Sequence, residues 1–363
     1  MVVRTRPDGD APRRGTLAPD AHVAVARRVR GPGCGDGHYL QLRTPAAYVC
    51  EADMVASDEP AAGSDPAPGR APLPHEYLSA KREGVRVYAH PQDAPTDEYD
   101  TVLGKGFSVV AVDRVRRDGE VFVHTAGNRY IRERDLRPVR GSAFSGAQLS
   151  VGALRGLAFV IADDAPVLAR PDGAVLRKLP RLSRVHVVRA VDHMLALRSG
   201  GLVAAAHVTR PRPAPPPDDL KPGERWIDVD LERQTLVAYE GARPVFATLV
   251  STGKRRRKTT TPRGEFRIWV KLLSSDMRDR ERPELQRRYG LQAVPWVQYF
   301  EGSYGLHAAF WHERFGQPMS QGCVNLSPAD ARTLFHFTRP KLPQGWEAIL
   351  PADPAEATRV VVH

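Results

Sequence analysis

Several features are scarce or missing in this sequence. Its 363 residues include only three cysteines, and no group of Cys, His and Asp has the spacing of a zinc site, so we expect no metal. No run of 18 apolar residues occurs, so we expect no transmembrane segment. The start of the chain, from Met1 to Pro7, lacks the apolar stretch of a signal peptide.

The charge balance is strongly basic. The net charge is +11, within a composition of 42% hydrophobic and 26% charged residues that is typical of a globular protein. A basic protein attracts polyanions, and nucleic acid is the usual first candidate. The sequence has no zinc-finger spacing, aromatic-studded RNA motif or basic helix, so we expect no nucleic-acid partner. An anionic cell envelope fits the charge equally well, and charge alone does not decide between the two.

Two of the cysteines lie close together. Fifteen residues separate Cys34 from Cys50, a loop length compatible with a disulfide that closes a hairpin in an oxidising compartment. The alternative is two unrelated free thiols, because pairing depends on a geometry that spacing does not fix. If the pair forms, Cys323 remains as a free thiol.

A weak repeat with a period near 80 residues, by rough count, runs through the first two hundred residues. Each copy contains an alternating strand with a basic tail and closes with a short strand and a polar turn. Such patterns predict small antiparallel β units, and each copy resembles a bacterial SH3-like domain. The predicted segments are modules at 1–55, 81–140 and 153–210, a linker at 56–80 and a stiff Pro-rich linker at 211–222. The modules are expected either to bind the cell wall or to act only as spacers.

The sequence after the Pro-rich linker predicts a β-rich unit at 223–352, followed by a C-terminal strand or tail at 353–363. Alternation predicts a hairpin from 227–231 and 235–239 and strands at 244–251, 266–272 and 294–300. Ser327 and Pro328 carry the signals of a helix start. The basic run Lys254–Lys258 predicts a solvated loop.

The segment from Gly305 to Leu326 carries the clearest chemical signal. His307 precedes Cys323 by sixteen residues, and Gly322 stands directly before the cysteine. A thiol attacks a carbonyl as thiolate, and a neighbouring imidazole can take its proton. Glycine allows a substrate to approach the backbone, whose N–H groups could hold an oxyanion. For an arbitrary Cys/His pair, simple packing is the more common explanation.

The pattern around these residues resembles the L,D-transpeptidase (YkuD-type) catalytic domain. The resemblance rests on His307 and on Ser320-Gln-Gly-Cys-Val-Asn325, with the blocks Ser251–Lys254 and Thr261–Phe266 upstream. It implies a cysteine nucleophile, Cys323, and a base, His307, that act without a cofactor on peptidoglycan stem peptides. A tetrapeptide donor would lose D-alanine, and an amine acceptor would complete a 3–3 crosslink.

The resemblance also implies roles for further residues. Those expected to support the site are Gly322, Ser320, Gln321 and Ala308. Those expected to contact substrate are Asn325, Trp311, Tyr304, Tyr299, Phe300 and Trp296, with core packing as the alternative for each single aromatic residue of the last three. Residues 274–300 are expected to form a lid. His312 and His336 are rival bases, expected to be surface or helix histidines because neither occupies the family's histidine position.

Two positions depart from the family pattern. Gln321 replaces the usual histidine two residues before the cysteine, and glutamine cannot carry a proton. Ala308 replaces Gly or Ser after His307, a mild change if that residue orients the histidine through its main chain. The alternatives are therefore a catalytically impaired wall-binding homologue, an L,D-carboxypeptidase or a thiol hydrolase with another substrate. The resemblance implies a periplasmic or cell-envelope location, with an export signal or lipid anchor outside this sequence.

Overall fold

The fold is mainly β, as the sequence predicts. The computed structural model describes residues 1–60, 73–254, 259–278 and 290–363. In this part of the chain, short alternating runs form thirty strands, and one α-helix and six single-turn 3₁₀ helices accompany them. None of the described helices is long and apolar enough to cross a membrane.

Twenty strands precede the Pro-rich segment. In the first unit they are β1 (Val2–Arg4), β2 (Arg13–Leu17), β3 (Val25–Arg30), β4 (His38–Leu42) and β5 (Ala47–Cys50). In the second unit they are β6 (Glu76–Ala80), β7 (Val85–Val87), β8 (Thr101–Leu103), β9 (Ser108–Arg117), β10 (Glu120–Thr125), β11 (Tyr130–Arg132) and β12 (Leu136–Pro138). In the third they are β13 (Ala147–Gln148), β14 (Leu157–Val160), β15 (Ala165–Leu168), β16 (Val175–Leu179), β17 (Arg184–Val191), β18 (Met194–Leu197), β19 (Leu202–Ala204) and β20 (Val208–Thr209).

Each of the three units repeats one local feature. The polar turn after the closing strand is a 3₁₀ helix in every copy, at Glu51–Asp53, Glu133–Asp135 and Ala205–His207. The other 3₁₀ helices are Pro91–Asp93, Ala153–Gly156 and Pro354–Glu356. The predicted internal repeat therefore has a structural counterpart in these strand-turn segments.

The first unit contains the expected disulfide. Cys34 and Cys50 are bonded, with their Cα atoms 5.4 Å apart. The bond joins the loop after β3 to the end of β5, so it closes the three-stranded β3–β4–β5 meander. Cys323 is the free cysteine.

The later strands form two sheets. They are β21 (Arg225–Asp230), β22 (Thr235–Glu240), β23 (Arg243–Leu249), β24 (Gly264–Arg267), β25 (Val270–Arg278), β26 (Gly290–Glu301), β27 (Tyr304–Ala308), β28 (Val324–Leu326), β29 (Trp346–Ile349) and β30 (Arg359–Val362). The predicted hairpin and the strand at 244–251 are confirmed as β21–β22 and β23. The single strand predicted at 266–272 is wrong, because the chain leaves the six-stranded sheet after Arg267 and enters the large sheet at Val270.

The large sheet joins the amino-terminal units to the later strands. β26, β25 and β29 lie in its middle, and β9 pairs with β26 on one side while β2 pairs with β29 on the other. The second sheet has the order β13-β23-β22-β21-β30-β24, so β13 also extends a sheet of later strands. These pairings dock the amino-terminal β units directly on the rest of the protein.

The largest core lies between the six-stranded sheet and one face of the β26–β27–β28 ladder. Helix α1 (Pro328–Phe337) closes it with Leu334 and Phe335, which are both buried. Ser327 caps the helix by accepting a hydrogen bond from the Asp330 N–H, with Pro328 in the first turn, as the sequence predicts. This core fixes β27, which carries His307, and β28, which directly follows Cys323.

Candidate active site

The two motif residues lie on neighbouring strands. β27 and β28 pair in parallel, with His307 opposite Asn325 and Leu306 opposite Val324. Cys323 directly precedes β28, and side chains two positions apart share a face of a strand. His307 and Asn325 therefore lie on the same side of this ladder, and Cys323 is the residue directly before the strand that carries Asn325.

The sulfur lies against the hairpin turn that leads into β27. Cys323 Sγ is 3.6 Å from the carbonyl oxygen of Ser303, and the Gly305 N–H points toward the sulfur. The residue as a whole is half-buried. Burial raises the pKa of the Cys323 thiol to about 11, and the Gly305 N–H opposes this shift.

His307 is held in one tautomer. Its Nδ1 lies 3.0 Å from the carbonyl oxygen of Ala308, and because a carbonyl only accepts, Nδ1 carries the proton. The lone pair of neutral His307 is then on Nε2. The residue is 2% exposed, and burial lowers its pKa to about 4. The contact between Ala308 and the histidine ring is thus made by the Ala308 main chain.

The resting site therefore combines a neutral imidazole and a neutral thiol. Between about pH 4 and about pH 11 neither group ionises by itself. Such a pair does not hold a preformed thiolate. It can move a proton from sulfur to nitrogen as a carbon–sulfur bond forms, which is general-base catalysis.

Hydrogen bonds fix the loop before the cysteine. Ser320 Oγ donates to the Cys323 carbonyl at 2.5 Å and accepts from the Gly322 N–H at 2.9 Å. Thr261 Oγ1 donates to the Gly322 carbonyl at 2.7 Å and accepts from the Gly253 N–H. The Gly322 N–H is thus already engaged by Ser320, so the Cys323 N–H is the better candidate of the two to hold an oxyanion.

Gly322 has a conformation and a space that favour glycine. Its φ is +129°, and a Cβ at this position would lie 2.4 Å from the Tyr304 ring. Tyr304 therefore packs directly over the glycine that precedes Cys323. Any larger residue at 322 would push this ring or the cysteine loop out of place.

The other predicted site residues fall into two groups. Trp311 is half-buried and stacks on His307 with ring centroids 5.9 Å apart. Tyr299 is half-buried and lies against the position of Gly305, next to the cysteine loop. Trp296 and Phe300 are each 3% exposed within the largest core, so core packing describes these two. Gln321 is exposed, so its side chain meets solvent rather than the buried His307.

The two rival histidines differ. His336 is exposed on helix α1, as expected. His312 is half-buried rather than a surface residue, and its Nε2 lies 3.1 Å from the side-chain amide of Asn325. Burial and the nearby His307 lower the pKa of His312 to about 4. Sequence reasoning did not place His312 in the site, although its position between His307 and Cys323 was a usable signal.

The second and third β units contact the segment between the motif residues. Tyr77 stacks on Phe310 with centroids 4.1 Å apart and donates to the Ala293 carbonyl at 2.7 Å. Arg181 donates to the Phe315 carbonyl at 2.8 Å, and Phe159 shares a buried cluster with Phe315. The amino-terminal units thus form part of the surroundings of the site.

Three predicted features lie partly outside the described residues. The predicted linker at 56–80 contains 61–72, which fall outside. The basic run is described only at Lys254, because residues 255–258 fall outside. The predicted lid contains 279–289, which also fall outside, while its flanks form the antiparallel pair β25–β26.

One group of metal-ligating side chains lies far along the chain from this site. Asp36, His38 and Glu51 could together face a cation. Arg28 forms ion pairs with both carboxylates, at 3.4 Å to Asp36 and 2.7 Å to Glu51. The Arg28 guanidinium therefore already balances the charge of these two carboxylates, and we assign the cluster no metal.

Comparison with known proteins agrees with the sequence pattern. Residues 224–362 match the family model of the L,D-transpeptidase catalytic domain, YkuD. No curated protein matches the chain.

Among solved structures, an L,D-transpeptidase of Enterococcus faecium is 22% identical over 39% of this chain and 50% of its own, with a TM-score of 0.30. One from Xylanimonas cellulosilytica is 22% identical over 41% of this chain and 64% of its own, with a TM-score of 0.27. One from Mycobacterium smegmatis is 18% identical over 70% and 99%, with a TM-score of 0.31. The chain thus spans less than two thirds of the first two structures.

The family model covers the strands and the helix that hold His307 and Cys323, and it ends at the last residue of β30. Residues 224–362 therefore form a catalytic domain of the L,D-transpeptidase type.

Proposed function

We propose that the protein is a cysteine-dependent L,D-transpeptidase that acts on peptidoglycan stem peptides. The observation that carries this proposal is the parallel β27–β28 pair, which places His307 opposite Asn325, two residues after Cys323. The bond from His307 Nδ1 to the Ala308 carbonyl supports it, because it leaves Nε2 to accept a proton.

The first half-reaction makes a thioester. The Cys323 sulfur attacks the carbonyl carbon of the third stem residue while its proton passes to His307 Nε2. The Cys323 N–H faces the developing oxyanion. The intermediate then collapses: the carbon–nitrogen bond to the terminal D-alanine breaks, and the imidazolium returns its proton to the leaving amine.

The second half-reaction consumes the thioester. An amine of a neighbouring stem attacks the acyl carbon, His307 takes the amine proton, and the sulfur leaves and is protonated. The products are a 3–3 crosslink and the free thiol. If water attacks instead, the same steps give an L,D-carboxypeptidase.

A β-lactam of the carbapenem class tests the proposal directly. It should acylate the wild-type full chain and add its mass at Cys323, whereas Cys323→Ala should stay unmodified. Release of D-alanine from a tetrapeptide should follow the same pattern. A wild-type chain that takes up no carbapenem and releases no D-alanine would favour the catalytically impaired homologue that Gln321 suggests.

A substitution at Gln321 distinguishes the active enzyme from the catalytically impaired homologue. Its side chain is exposed, so we propose that the proton chemistry does not depend on this position. Gln321→His should then change the acylation rate by less than about threefold, far below the factor of 10²–10⁴ that general-base catalysis supplies. A large rate increase would show that the native glutamine limits the chemistry.

The amino-terminal units are proposed to be SH3-like modules in a cell-envelope enzyme. The repeated strand and 3₁₀ turn at the end of each unit support the module assignment, and the Cys34–Cys50 disulfide suits an exported protein. Their docking on the later strands favours a supporting role over that of free spacers. Co-sedimentation of the Cys323→Ala full chain with purified sacculi tests whether they also hold the protein on peptidoglycan.

A further inference from the structure

His312 is held in a defined tautomer by its own loop. The Arg314 N–H donates to His312 Nδ1 at 3.2 Å. A ring nitrogen that accepts carries no proton, so in the neutral ring the proton is on Nε2. The fall in the pKa of His312 to about 4, caused by burial and by His307, keeps the ring neutral.

The protonated Nε2 fixes the orientation of a neighbouring amide. The side-chain amide of Asn325 lies 3.1 Å from this nitrogen. As placed, Asn325 Nδ2 is the atom that faces this nitrogen. Because two N–H groups cannot bond to each other, we assign the amide the other way round, with its carbonyl oxygen facing His312 and its NH₂ group facing away.

The other end of this amide lies in a buried and unpartnered position. Asn325 is 2% exposed, and its second amide atom has no hydrogen-bond partner among the residues that the structure describes. Asn325 is the ladder partner of His307. A buried donor without an acceptor is therefore present beside the proposed base, where an incoming carbonyl could pair with it.

We infer that His312 is a positioning residue: by holding the Asn325 carbonyl oxygen, it presents the Asn325 NH₂ group as a donor to the acyl carbonyl of the peptide substrate. This inference rests on the proposed function. His312 acts through Asn325, and its own position is fixed by packing on Phe315, whose ring centroid is 5.0 Å away, and by the Arg314 N–H.

The test compares two reactions of the same sulfur in the full chain. Acylation by a carbapenem builds an oxyanion, whereas alkylation by iodoacetamide does not. His312→Phe keeps a ring but removes the donor, and we expect it to slow the maximal acylation rate about 10- to 100-fold while alkylation changes less than about threefold. His312→Gln, which retains an N–H donor, should recover most of the rate, and the exposed-site control His336→Phe should behave as wild type.

Non-additivity distinguishes this role from a general loss of packing. If His312 acts through Asn325, the double variant His312→Phe/Asn325→Ala should lose no more acylation rate than Asn325→Ala alone. An additive double variant, an equal loss in alkylation, or a wild-type rate in His312→Phe would each overturn the inference.

A spectroscopic measurement separates this inference from the proposed function. In ¹⁵N-histidine-labelled protein, the signals missing from His312→Gln identify His312, and we expect a protonated Nε2 and an unprotonated Nδ1 at neutral pH. Asn325→Ala should speed exchange of the Nε2 proton with water. A protonated Nδ1, or unchanged exchange, would contradict the inference, whereas absence of carbapenem uptake by wild type would contradict only the proposed function.

Discussion

The two faces of the β26–β27–β28 ladder are built differently. One face carries Leu306, Ala308, Val324 and Leu326, which pack on Leu334 and Phe335 of helix α1. All of these residues belong to the catalytic domain at 224–362. This face, which we name the helix face, is therefore complete within one domain.

The opposite face carries His307 and Asn325, and we name it the site face. The segment that follows β27 in the chain contains Phe310 and Phe315. Side chains of the second and third β units pack on both of these rings. Tyr77 contacts Phe310 and Arg181 bonds to the Phe315 carbonyl. The comparison indicates that the fold of the catalytic domain depends on the helix face, whereas the geometry of its site also depends on the amino-terminal units.

The largest expected effect is on proton transfer at the site face. Alkylation of wild-type Cys323 should be nearly constant from about pH 5 to about pH 9, because His307, with a pKa of about 4, is already neutral and accepts the proton. In His307→Ala the rate should fall about 10²- to 10⁴-fold at neutral pH and then rise tenfold per pH unit toward the thiol pKa of about 11.

Iodoacetamide uptake measured by mass spectrometry checks this, since Cys323 is the free thiol. Cys323→Ala is the control for labelling elsewhere. A wild-type rate that rises with pH across the whole range would contradict a role of His307 as base.

The next effect is on the helix face. Leu334 is fully buried, so Leu334→Ala should lower the free energy of unfolding by about 2–5 kcal/mol through lost burial and a cavity. The reactivity of Cys323 in the folded fraction should change little. Urea unfolding measures the first quantity and carbapenem acylation the second, with the exposed Val188→Ala as a matched control.

A pH-dependent effect is expected where helix α1 meets an amino-terminal segment. Asp330 accepts from the Gly146 N–H at 2.8 Å and from Thr248 Oγ1 at 2.5 Å, yet burial raises its pKa to about 6. Because the folded state binds this proton more tightly than the unfolded chain, the contribution of Asp330 to stability is present at low pH and is lost as the pH rises through about 6.

Asp330→Asn removes this titration. Relative to wild type, the variant should gain up to about 3 kcal/mol between about pH 4 and about pH 7.5, a shift of about two pKa units converted at 1.36 kcal/mol per unit. Urea unfolding at both pH values measures the difference, and the exposed Asp118→Asn should show no such change. An identical pH slope for wild type and Asp330→Asn would argue against a raised pKa.

The smallest expected effect tests whether the third β unit positions the site face. Arg181→Met removes the bond to the Phe315 carbonyl and a second bond to the Ile161 carbonyl. We expect it to slow carbapenem acylation about tenfold, because the lost charge-assisted hydrogen bond to Phe315 costs about 1.5 kcal/mol. Stability should change by a similar small amount. Arg177→Met in the same unit, where the side chain bonds only to Ser199 and Gly200, is the control. An unchanged acylation rate would mean that the third unit does not position the site.

Local signals were sufficient for some elements and not for others. The cap at Ser327, the β21–β22 hairpin and the closing strands of the three repeats depend on neighbours in sequence, so the pattern predicted them. The break at Ile268 and Trp269 was missed because their N–H groups bond to Thr358 and Tyr299, far along the chain. Composition cannot distinguish this crossing between two sheets from one continuous strand.

The amino-acid sequence by itself determined the mainly β class, the β21–β22 hairpin, the start of helix α1 and the motif that contains His307 and Cys323. Each of these depends on short-range periodicity, spacing or residue chemistry. Only the tertiary structure decided that Gln321 is exposed, that His312 lies beside Asn325, and that Tyr77 and Arg181 support the segment between the motif residues. Burial, tautomer and contact between distant segments depend on how the sheets join, and that is set by the packing of the whole chain.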